Sequence, residues 1–385
     1  MSPLSSINKI KIAYIIPTLN YGGAEKQLIE LCRHLSNDVF EPTIILLKDR
    51  DRLLKEAYRD PLPVKVIKLK NSGKYNFLKL FELIFLLKRE KPNIIHSFLP
   101  TANFWGGLAA RLSQNANIVI ASSRGLHSRL MNKFSILNFL SFHFLSDLVL
   151  VNSETVKNNC INVLKINSDK ISRIYNFVTL ACENRRYAKD DILTEFGIKT
   201  GDWRIISTAG RLDYLKGIDF FVEMASGLRK RRVNAKFLIA GAGPRLKHLK
   251  TKAQNLSINK DIRFLGELED IEKLFFITDI FVLPTLSEGC SNVILEAMTM
   301  GLPVVTTSIE ANKELIENHT SGLLVEPKNP DALAEAVLEL INNPDEAKTL
   351  GENARRKVES QFSTRKIVKQ YEQLYRQVLG EVREG

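Results

Sequence analysis

The chain has 385 residues, 44% hydrophobic and 25% charged, a composition typical of a soluble globular protein long enough for two domains. Its four cysteines are widely spaced and form no CxxC or His/Cys cluster, which argues against a zinc-binding or disulfide-rich fold and favours a reducing, cytoplasmic location. The formal net charge is +12, and residues 1–180 carry all of it, with 25 Lys and Arg against 13 Asp and Glu. This one-sided charge favours an anionic partner, namely a membrane, a nucleic acid or a phosphorylated substrate, unless it serves solubility alone.

The N-terminus and the most apolar region both argue against membrane targeting. The strand-like run 9–17 is too short for the apolar part of a signal peptide. The most apolar region, 130–151, is interrupted by polar and charged residues, among them Lys133 and Asp147. We therefore expect neither a signal peptide nor a membrane-spanning helix.

In the first half of the chain, short runs rich in Val, Ile and Leu alternate with helical patterns. The predicted strands are 10–17, 42–47, 64–69, 93–98, 117–122 and 147–152. Apolar strands separated by helices indicate a parallel sheet covered by helices on both faces. The polar segment 181–203 interrupts the alternation, and we interpret it as a domain junction.

The alternation resumes after the junction. The predicted strands there are 203–210, 235–243, 261–266, 279–284, 302–307 and 322–327. The sequence therefore predicts an α/β fold of two Rossmann-like, doubly wound parallel-sheet domains, 1–180 and 181–362, facing across a cleft. The final segment, 363–385, contains a predicted helix over 363–378 that is placed to brace the two domains. Ligands of such sheets bind at the carboxyl ends of the strands.

Two predicted helices of the basic half are rich in large apolar side chains. One face of the helix over 76–91 is apolar and consists of Phe77, Leu80, Phe81, Ile84 and Leu87. We expect this face to cover the sheet. The helix over 132–148 contains four phenylalanines, Phe134, Phe139, Phe142 and Phe144. Its aromatic residues suit either packing on the sheet or contact with a membrane surface.

In the first domain, Gly22 and Gly23 lie between a strand that ends at Pro17 and a predicted helix over 24–35. Glycines let the backbone approach a ligand closely, and a helix N-terminus offers N–H groups to an anion. The pattern is not GxGxxG, and no acidic residue stands at a strand end about 20 residues later, so a nicotinamide cofactor is disfavoured. An ordinary glycine turn is the alternative.

Two strand-to-helix loops of the second domain contain candidate residues. In "AGRLDYLKG", Gly210 is followed by Arg211 and Lys216. Two cations beside a helix start suit a diphosphate, Arg by its planar fork and Lys as a point charge, although basic pairs on loops are commonly just solvated. In "AGAGP", Gly241 and Gly243 form a turn that either lies beside a nucleotide base or only connects a strand to a helix.

Two glutamates eight residues apart, Glu288 and Glu296, stand in "EGCSNVILEAMTMG". Glu296 lies in an apolar, helix-forming run, where a carboxylate is costly to bury without a partner. Helical side chains lean toward the N-terminus, so Glu296 points toward the helix end that would meet a phosphate, and its carboxylate suits the two hydroxyls of a ribose. A solvated acid favoured by the helix dipole explains Glu288 adequately but explains Glu296 poorly.

Taken together, these motifs resemble the group 1 (family 4) retaining glycosyltransferases of the GT-B fold. "EGCSNVILEAMTMGLPVV" is similar to the Glu-x7-Glu signature of that family, and the resemblance extends over nearly the whole chain. Its further elements are Gly22-Gly23, Ser153-Glu154, Asn176, "AGRL…KG" at 209–217 and "GAGP" at 241–244. The joint order and spacing of these motifs carry the resemblance, since each motif alone is weak.

The resemblance implies a nucleotide-sugar donor site. Arg211 and Lys216 would neutralise the donor diphosphate, Glu296 would hold the ribose, and Glu288 would contact the hydroxyls of the donor sugar. The remaining donor-binding positions implied are Gly22, Gly23, Gly210, Gly241, Gly243, Gly289, Cys290, Ser291, Asn292 and Val293. The family transfers sugars with retention and without an obligatory metal or other cofactor, so catalysis would depend on positioning and on stabilising the charge that develops on phosphate.

The residue near the reacting carbon is left open. Many relatives have a His after the strand that matches "NIVIASS", whereas here Arg124 stands there and His127 follows three residues later. Either side chain suits a position beside the reacting carbon, and Arg124 also suits an acceptor phosphate. His96, at the end of another predicted strand, is the third candidate.

The sequence therefore predicts an enzyme that moves a sugar from a nucleoside-diphosphate sugar, UDP first and GDP second, to a lipid-linked or membrane-associated glycan. Such an enzyme would serve the assembly of a surface polysaccharide, such as lipopolysaccharide, or of a glycoconjugate. We expect it in the cytoplasm, peripheral at the inner face of the cytoplasmic membrane, with an anionic membrane surface as partner. The alternatives are a UDP-sugar epimerase on the same fold and a basic nucleic-acid-binding protein. The second leaves the glutamate pair unused and lacks a binding motif, so we expect no nucleic-acid partner.

Overall fold

The computed structural model describes residues 9–20, 22–49, 51, 62, 64–70, 76–114, 118–127, 133–179 and 187–380. The chain divides into two compact units, one formed by residues 1–176 with 364–385 and the other by residues 177–363. The boundary thus falls between 176 and 177, whereas the sequence places it between 180 and 181. The C-terminal helix belongs to the first unit. Its role as a brace between the domains stays a prediction.

The described part of the first unit contains a seven-stranded parallel sheet in the order β3-β2-β1-β4-β5-β6-β7. Its strands are β1 (Ile10–Ile16), β2 (Phe40–Leu46), β3 (Lys65–Lys68), β4 (Ile94–Phe98), β5 (Ile118–Ser123), β6 (Leu148–Val151) and β7 (Ile171–Arg173). The chain passes from β1 outward to β3 and returns to β4 on the other side of β1. The carboxyl ends of β1 and β4 therefore flank the topological switch point, where such sheets bind ligands.

In the described ranges, five helices connect these strands: α1 (Gly23–His34), α2 (Asn76–Glu90), α3 (Pro100–Ser113), α4 (Lys133–Leu140) and α5 (Glu154–Asn162). Because parallel connections are right-handed, α2, α3 and α4 lie on one face of the sheet, and α1 lies on the other. In keeping with this, α3 packs against α2 on one side and against α4 and the π-helical turn Ser141–Leu145 on the other.

The buried face of α2 differs from the predicted one. Leu83, Leu86 and Leu87 are buried in the core of the first unit, and Leu80 and Ile84 pack against that core. Phe81 is exposed, so its predicted place on the covered face is wrong. The strip of leucines three and four residues apart fills the space above the sheet and turns Phe81 outward. The side chain of Phe77 lies outside the described residues.

The helix predicted over 132–148 is shorter than expected. Helix α4 ends at Leu140, the π-helical turn continues to Leu145, and β6 begins at Leu148. The phenylalanines are divided, since Phe142 is buried, Phe139 is half-buried and Phe144 is exposed. The side chain of Phe134 is not among those described.

The second unit contains a six-stranded parallel sheet in the order β10-β9-β8-β11-β12-β13. Its strands are β8 (Arg204–Ala209), β9 (Ala235–Ala240), β10 (Ile262–Gly266), β11 (Ile280–Leu283), β12 (Val304–Thr307) and β13 (Leu323–Val325). Its helices are α6 (Lys189–Glu195), α7 (Ile218–Lys230), α8 (Leu246–Asn255), α9 (Ile271–Ile277), α10 (Asn292–Thr299), α11 (Glu310–Leu315), α12 (Pro330–Asn342) and α13 (Pro344–Gln361). Here the switch point lies between β8 and β11.

All twelve predicted strands occur, with ends shifted by a few residues. The sequence pattern does not predict β7, which has only three residues, two of them polar. The predicted junction 181–203 contains α6, and its residues 181–186 lie outside the described part. The last helix, α14 (Thr364–Val378), packs against α1 and buries Ile367, Tyr371 and Tyr375 in the first unit. Across the described ranges, no helix has the length and apolar character needed to cross a bilayer.

Candidate functional site

Two loops meet at the switch point of the second sheet. The loop 210–217 follows β8, and the loop 284–291 follows β11. The backbone N–H of Leu286 donates to the carbonyl of Leu215 at 2.7 Å, and the hydroxyl of Thr285 donates to the same carbonyl at 3.0 Å. These bonds hold the two loops in a fixed mutual position.

A glycine allows the loops to approach this closely. Gly217 precedes α7 with a φ of 65°, and a Cβ at this position would collide with the carbonyl oxygen of Pro284. Any other residue would therefore meet both backbone strain and a steric clash. The sequence motif of Arg211 and Lys216 ends in this glycine because the fold needs it there.

The joined loops bring Lys216 and Glu288 into contact. The ammonium group of Lys216 donates a hydrogen bond to Oε1 of Glu288. Their side chains are only 23% and 10% exposed, and Oδ1 of Asp213 accepts from the backbone N–H of Lys216 at 3.2 Å. Two predicted donor-binding residues thus bind each other, and the ammonium group keeps N–H donors that a phosphate oxygen can use.

Arg211 is placed differently from Lys216. Its side chain is 73% exposed, and its Nε lies 3.5 Å from Oδ2 of Asp213. An exposed ion pair of this kind contributes little to stability, so the guanidinium can turn toward a ligand at small cost. Asp213, which sequence analysis did not single out, contacts both predicted diphosphate ligands.

The predicted glycine turn after β9 packs directly on the loop after β8. Gly241 has a φ of 128°, and a Cβ there would collide with the carbonyl oxygen of Gly210. A Cβ on Gly243 would collide with the backbone of Leu212. Both glycines therefore have a structural reason to be glycine, and their predicted contact with a donor remains a prediction.

Helix α10 explains why Glu296 can stand in an apolar run of the sequence. The buried residues of the helix are Ile294, Leu295, Ala297, Met298 and Thr299. Glu296 is half-buried and shares the opposite face with Asn292 and Val293, four and three residues earlier. The apolar residues fix the helix on the sheet, and helical side chains on the opposite face lean toward the helix N-terminus.

The residues before α10 are tightly enclosed. Gly289, Cys290 and Ser291 are buried, and Ser291 occupies the N-cap position without a side-chain hydrogen bond to the described backbone of the helix. A side chain at this position often satisfies one of the free N–H groups of the first turn. A helix N-terminus of this kind can bind an external acceptor, such as a phosphate oxygen.

In the first unit, the predicted glycine loop has an unexpected neighbour. Gly22 is the N-cap residue of α1, and a Cβ there would collide with the carboxylate of Glu25. Burial raises the pKa of Glu25. The helix N-terminus that the sequence assigns to a phosphate is thus already close to an acid of the protein itself. An acid three residues after an N-cap is a known capping pattern, which is the signal that predicts this arrangement.

Arg124 is held by three contacts at the end of β5. Nη1 donates to Oδ1 of Asn176 at 2.8 Å, Nη2 donates to the hydroxyl of Tyr371 at 2.9 Å, and the guanidinium lies 4.8 Å from the centre of the Phe98 ring. Its buried Nε has no hydrogen-bond partner among the described residues. A buried N–H that lacks a partner is costly, and an external acceptor would satisfy it.

His127 is fixed and uncharged at neutral pH. Its Nε2 lies 2.8 Å from the hydroxyl of Ser123, and its backbone N–H donates to Oδ1 of Asn159 at 2.6 Å. Burial lowers the pKa of His127 to about 4. The imidazole can therefore accept a proton as a base, but it supplies no positive charge to a leaving phosphate at neutral pH.

His96 is fully buried, and both of its ring nitrogens have partners within the first unit. Nδ1 lies 2.9 Å from the hydroxyl of Tyr375, and Nε2 lies 2.8 Å from that of Ser122. The hydroxyl of Tyr14 completes the cluster with a 3.1 Å bond to Tyr375. This leaves neither nitrogen for a substrate, so the hypothesis that His96 contacts the reacting carbon is wrong. No local sequence pattern predicts the cluster, because Tyr375 comes from the C-terminal helix.

The remaining motif elements have structural partners. Ser153 caps α5 by accepting a hydrogen bond from the N–H of Val156 at 3.1 Å, and Glu154 pairs with Arg173 at 2.6 Å. Asn176 supports Arg124, as described above. These residues therefore order the carboxyl edge of the first sheet.

One group of potential metal-binding side chains lies close together within the described ranges. It consists of His319 in the turn before β13, Glu339 on α12 and Glu346 on α13. These elements contribute nothing to the loops described above. The group therefore does not bear on the candidate site, and metal independence of catalysis stays a prediction.

Two doubly wound parallel sheets, each with its polar side chains at the carboxyl ends of the strands, define a protein with the architecture of the nucleotide-sugar-dependent enzymes of the GT-B fold. The chain matches the family model described as glycosyl transferases group 1 over residues 189–357 and the one described as glycosyltransferase family 4 over residues 21–181. The chain belongs to this family of glycosyltransferases, as the motifs predict.

Known relatives support this assignment. The UDP-Gal:alpha-D-GlcNAc-diphosphoundecaprenol alpha-1,3-galactosyltransferase of Escherichia coli is 28% identical over 96% of this chain and 98% of its own. The N-acetyl-alpha-D-glucosaminyl L-malate synthase of Bacillus anthracis is 29% identical over 62% of each chain. The Anabaena protein Alr3699/HepE, solved in complex with UDP and glucose, superposes with a TM-score of 0.83 over 97% of this chain and all of its own. At 20% identity, that likeness shows the fold alone.

Proposed function

We propose that this glycosyltransferase moves a sugar from a UDP-sugar to a lipid-linked or membrane-associated glycan, with retention of configuration and without a metal ion. The acceptor would belong to the assembly of a surface polysaccharide or glycoconjugate. The observation that carries the proposal is the arrangement at the switch point of the second sheet, where the Lys216–Glu288 pair, Glu296 and the N-terminus of α10 occur together.

The donor would lie along the loops of the second unit. Lys216 and the exposed Arg211 carry the positive charge that a diphosphate needs, and the N–H groups at the start of α10 would add hydrogen-bond donors. Glu296 would accept hydrogen bonds from the ribose hydroxyls, and Glu288 would accept them from the donor sugar. UDP is supported by the names of the Escherichia coli relative and of the Anabaena complex, and GDP is the alternative.

The first unit would bind the acceptor. The Escherichia coli relative acts, by its name, on a diphosphoundecaprenol-linked sugar. Residues 1–180 carry the whole excess of positive charge, and Arg124 presents a buried Nε without a described partner. A phosphate group of the acceptor or donor would satisfy that N–H and the remaining donors of the guanidinium. We therefore assign Arg124 to a phosphate group and His127 to the neighbourhood of the acceptor hydroxyl.

The proposed reaction needs no acid/base pair of carboxylates. The acceptor oxygen forms a bond to the anomeric carbon on the face from which the diphosphate leaves, the bond between that carbon and the phosphate oxygen breaks, and the acceptor proton moves to the leaving phosphate. Lys216 and Arg211 would stabilise the negative charge that develops on the diphosphate. The protein would therefore accelerate transfer by positioning and electrostatics, unlike a glycosidase with two catalytic carboxyl groups.

The enzyme would work in the cytoplasm at the inner face of the cytoplasmic membrane, where a lipid-linked acceptor is accessible. A UDP-sugar epimerase of the same fold would use the donor without an acceptor. A nucleic-acid-binding protein would have no use for Glu288 and Glu296. Neither alternative explains a basic first unit together with a donor-type site in the second.

A panel of UDP- and GDP-sugars tests the proposal. The purified full chain is incubated with each donor, with and without a polyprenyl-diphosphate sugar and with and without a chelator, and NMR identifies the released nucleotide and the anomeric configuration of the product. We expect release from a UDP-sugar, retained configuration and no effect of the chelator. Failure to bind any nucleotide sugar would contradict the donor site, and epimerised donor without transfer would establish the alternative.

A further inference from the structure

The outward face of α2 carries a strip of large apolar side chains. Leu78, Phe81 and Phe85 are 56%, 67% and 68% exposed. They lie three and four residues apart, so they are neighbours on one face of the helix. Single exposed apolar residues are common on soluble proteins, but a contiguous strip with two phenylalanines marks an interaction surface.

Among the described residues, the strip does not contribute to the core of the first unit. The opposite side of α2 supplies the contacts with the sheet through Leu83, Leu86 and Leu87. The helix is therefore apolar on two sides, and in the described part of the unit only one of them packs against the core. A helix that keeps a second apolar face outward needs something to cover that face.

Positive charge borders the C-terminal end of the strip, and Glu82 lies within its length on the same face. Lys88 and Arg89 are exposed, and they follow Phe85 by three and four residues, so they continue the same face at the C-terminal end of α2. Arg89 also donates to the neighbouring Glu90 at 2.8 Å. Phenylalanines followed by basic residues on one helix face are the pattern of a helix that lies in the headgroup region of an anionic bilayer.

Two further apolar side chains extend the surface. Leu112 on α3 and Phe144 in the π-helical turn are 52% and 67% exposed. Both belong to the layer of helices that covers the same face of the sheet as α2, since α3 packs against α2 and against the π-helical turn. The layer thus presents several large apolar groups outward beside α2.

We propose that the outward face of α2, formed by Leu78, Phe81 and Phe85 with Lys88 and Arg89, docks the first unit on an anionic lipid bilayer. The phenylalanines insert among the lipid headgroups, and the two cations contact lipid phosphates. This inference rests on the proposed function, in which the acceptor is lipid-linked. The basic border favours a lipid surface over a second copy of the chain, because two basic first units repel each other.

The length of the helix fixes how it lies. Helix α2 has 15 residues, which at 1.5 Å per residue gives roughly 22 Å. That is shorter than the hydrocarbon core of a bilayer, roughly 30 Å. The helix therefore lies along the membrane surface and does not cross it.

Vesicle co-sedimentation tests the docking surface. The full chain is mixed with vesicles of phosphatidylcholine, with or without phosphatidylglycerol. We expect the double variant Phe81→Ser/Phe85→Ser to bind anionic vesicles at least about tenfold more weakly than the wild type. The variant Lys88→Glu/Arg89→Glu should bind anionic vesicles more weakly than the wild type does, and it should bind vesicles of phosphatidylcholine alone as the wild type does. The control is Phe276→Ser, which removes an exposed phenylalanine of the second unit and should bind as the wild type does.

A second readout gives a signal on binding. In Phe85→Trp, brominated phosphatidylcholine in anionic vesicles should quench the new tryptophan more than it quenches the wild type. The proposal is overturned if the wild type does not bind anionic vesicles, if the serine double variant binds like Phe276→Ser, or if the new tryptophan is not quenched. Light scattering identifies a second copy as the occupant if the serine variant dissociates a dimer. UDP-sugar hydrolysis without vesicles is measured in parallel, so loss of the donor activity is distinguished from loss of docking.

Discussion

The ammonium group of Lys216 and the carboxylate of Glu288, 72 residues apart in the chain, form an ion pair at the switch point of the second sheet. The sequence assigns each of them to the donor, and the structure shows that they also hold each other. The pair keeps a cation at a defined place in a poorly exposed site. A diphosphate that enters would find this charge already positioned, which is the condition for efficient electrostatic stabilisation.

The first prediction concerns this pair. Lys216→Met removes the cation but keeps most of the side chain, and it leaves the carboxylate of Glu288 poorly solvated without its partner. We expect the free energy of unfolding, measured by chemical denaturation, to fall by about 1–3 kcal/mol. The double variant Lys216→Met/Glu288→Gln should recover part of that loss, because no isolated carboxylate remains.

A matched control exists in the same unit. Lys313 pairs with Glu310 at 2.7 Å, but their side chains are 49% and 74% exposed. Lys313→Met should therefore change the unfolding free energy by less than about 0.5 kcal/mol. Equal losses for Lys216→Met and Lys313→Met would show that the low exposure of the first pair has no energetic consequence.

The second prediction concerns Glu296. Glu296→Ala should weaken UDP binding by at least ~1 kcal/mol, about fivefold, as expected for a lost hydrogen bond to a charged group. Calorimetric titration with UDP and with its 2′-deoxy analogue makes the test specific to the ribose. The wild type should prefer UDP, and Glu296→Ala should lose that preference.

Glu352→Ala removes another helical glutamate of the second unit, exposed and paired only at 4.0 Å with Lys348, and serves as control. Its UDP affinity and its preference for the ribose should match those of the wild type. If Glu296→Ala discriminates the two nucleotides as well as the wild type does, the carboxylate does not contact the ribose hydroxyls.

Much of the fold follows from local sequence patterns. Each of the twelve predicted strands is a short apolar run such as 10–17 or 279–284, and burial on both faces of a parallel sheet requires that composition. The positions of Arg211, Lys216 and Glu288 after strands could also be predicted, because the carboxyl ends of parallel strands share one edge. The pattern fails for β7, whose three residues are too few to show a period.

The contacts between side chains could not be predicted in the same way. Arg124 meets Tyr371 across 247 positions of the chain, and His96 meets Tyr375 across 279. Both contacts depend on how α14 packs in the first unit, which no local pattern specifies. The buried face of α2 could not be predicted either. The helix has apolar residues on two opposite sides, and only its packing on the sheet determines which side is buried.

The third prediction concerns the glycines that join the loops after β8 and β9. Gly241→Ala introduces both an unfavourable φ and a clash with Gly210, whereas Gly266→Ala, at a φ of 76° with nothing within 4 Å of the new Cβ, introduces strain alone. We expect Gly266→Ala to cost about 1–2 kcal/mol of stability and Gly241→Ala to cost more. Gly243→Ala isolates the clash, because its φ is not in the strained range.

Donor affinity separates the two effects further. Gly241→Ala and Gly243→Ala displace the loop that carries Arg211 and Lys216, so both should weaken UDP binding. Gly266→Ala should leave it close to that of the wild type. If all three variants bind UDP equally, the packing of the two loops is not needed for the donor site.

The fourth prediction concerns the support of Arg124. Tyr371→Phe removes only the hydroxyl that accepts from Nη2 at 2.9 Å, so the fold should lose about 1 kcal/mol. If this bond positions the guanidinium for a phosphate, kcat should fall while the KM for the donor changes little. Tyr187→Phe, which removes a hydroxyl bonded to Asp270 in the second unit, is the control for a lost tyrosine hydrogen bond. A kcat equal to that of the control would show that Tyr371 has a structural role only.

The fifth prediction is a pH dependence. Burial lowers the pKa of His127 from its usual value of 6.5 to about 4. Between these two values the unfolded chain binds a proton that the folded protein does not, so folding stability should decrease as the pH falls from 6.5 toward 4. The contribution of His127 is about 3 kcal/mol once the window has been crossed. Burial and the neighbouring Arg124 lower the pKa of His96 as well, which adds a slope of the same sign.

His127→Gln separates the two histidines, because glutamine can still bond to Ser123 but does not titrate. Denaturation curves at a series of pH values should show a shallower loss of stability for the variant than for the wild type, with the difference confined to the range below pH 6.5. The residual slope of the variant then reports His96 and the carboxyl groups. An unchanged slope would mean that His127 takes up its proton in the folded protein as readily as in the unfolded chain. That result would remove the argument that an uncharged imidazole stands beside the acceptor.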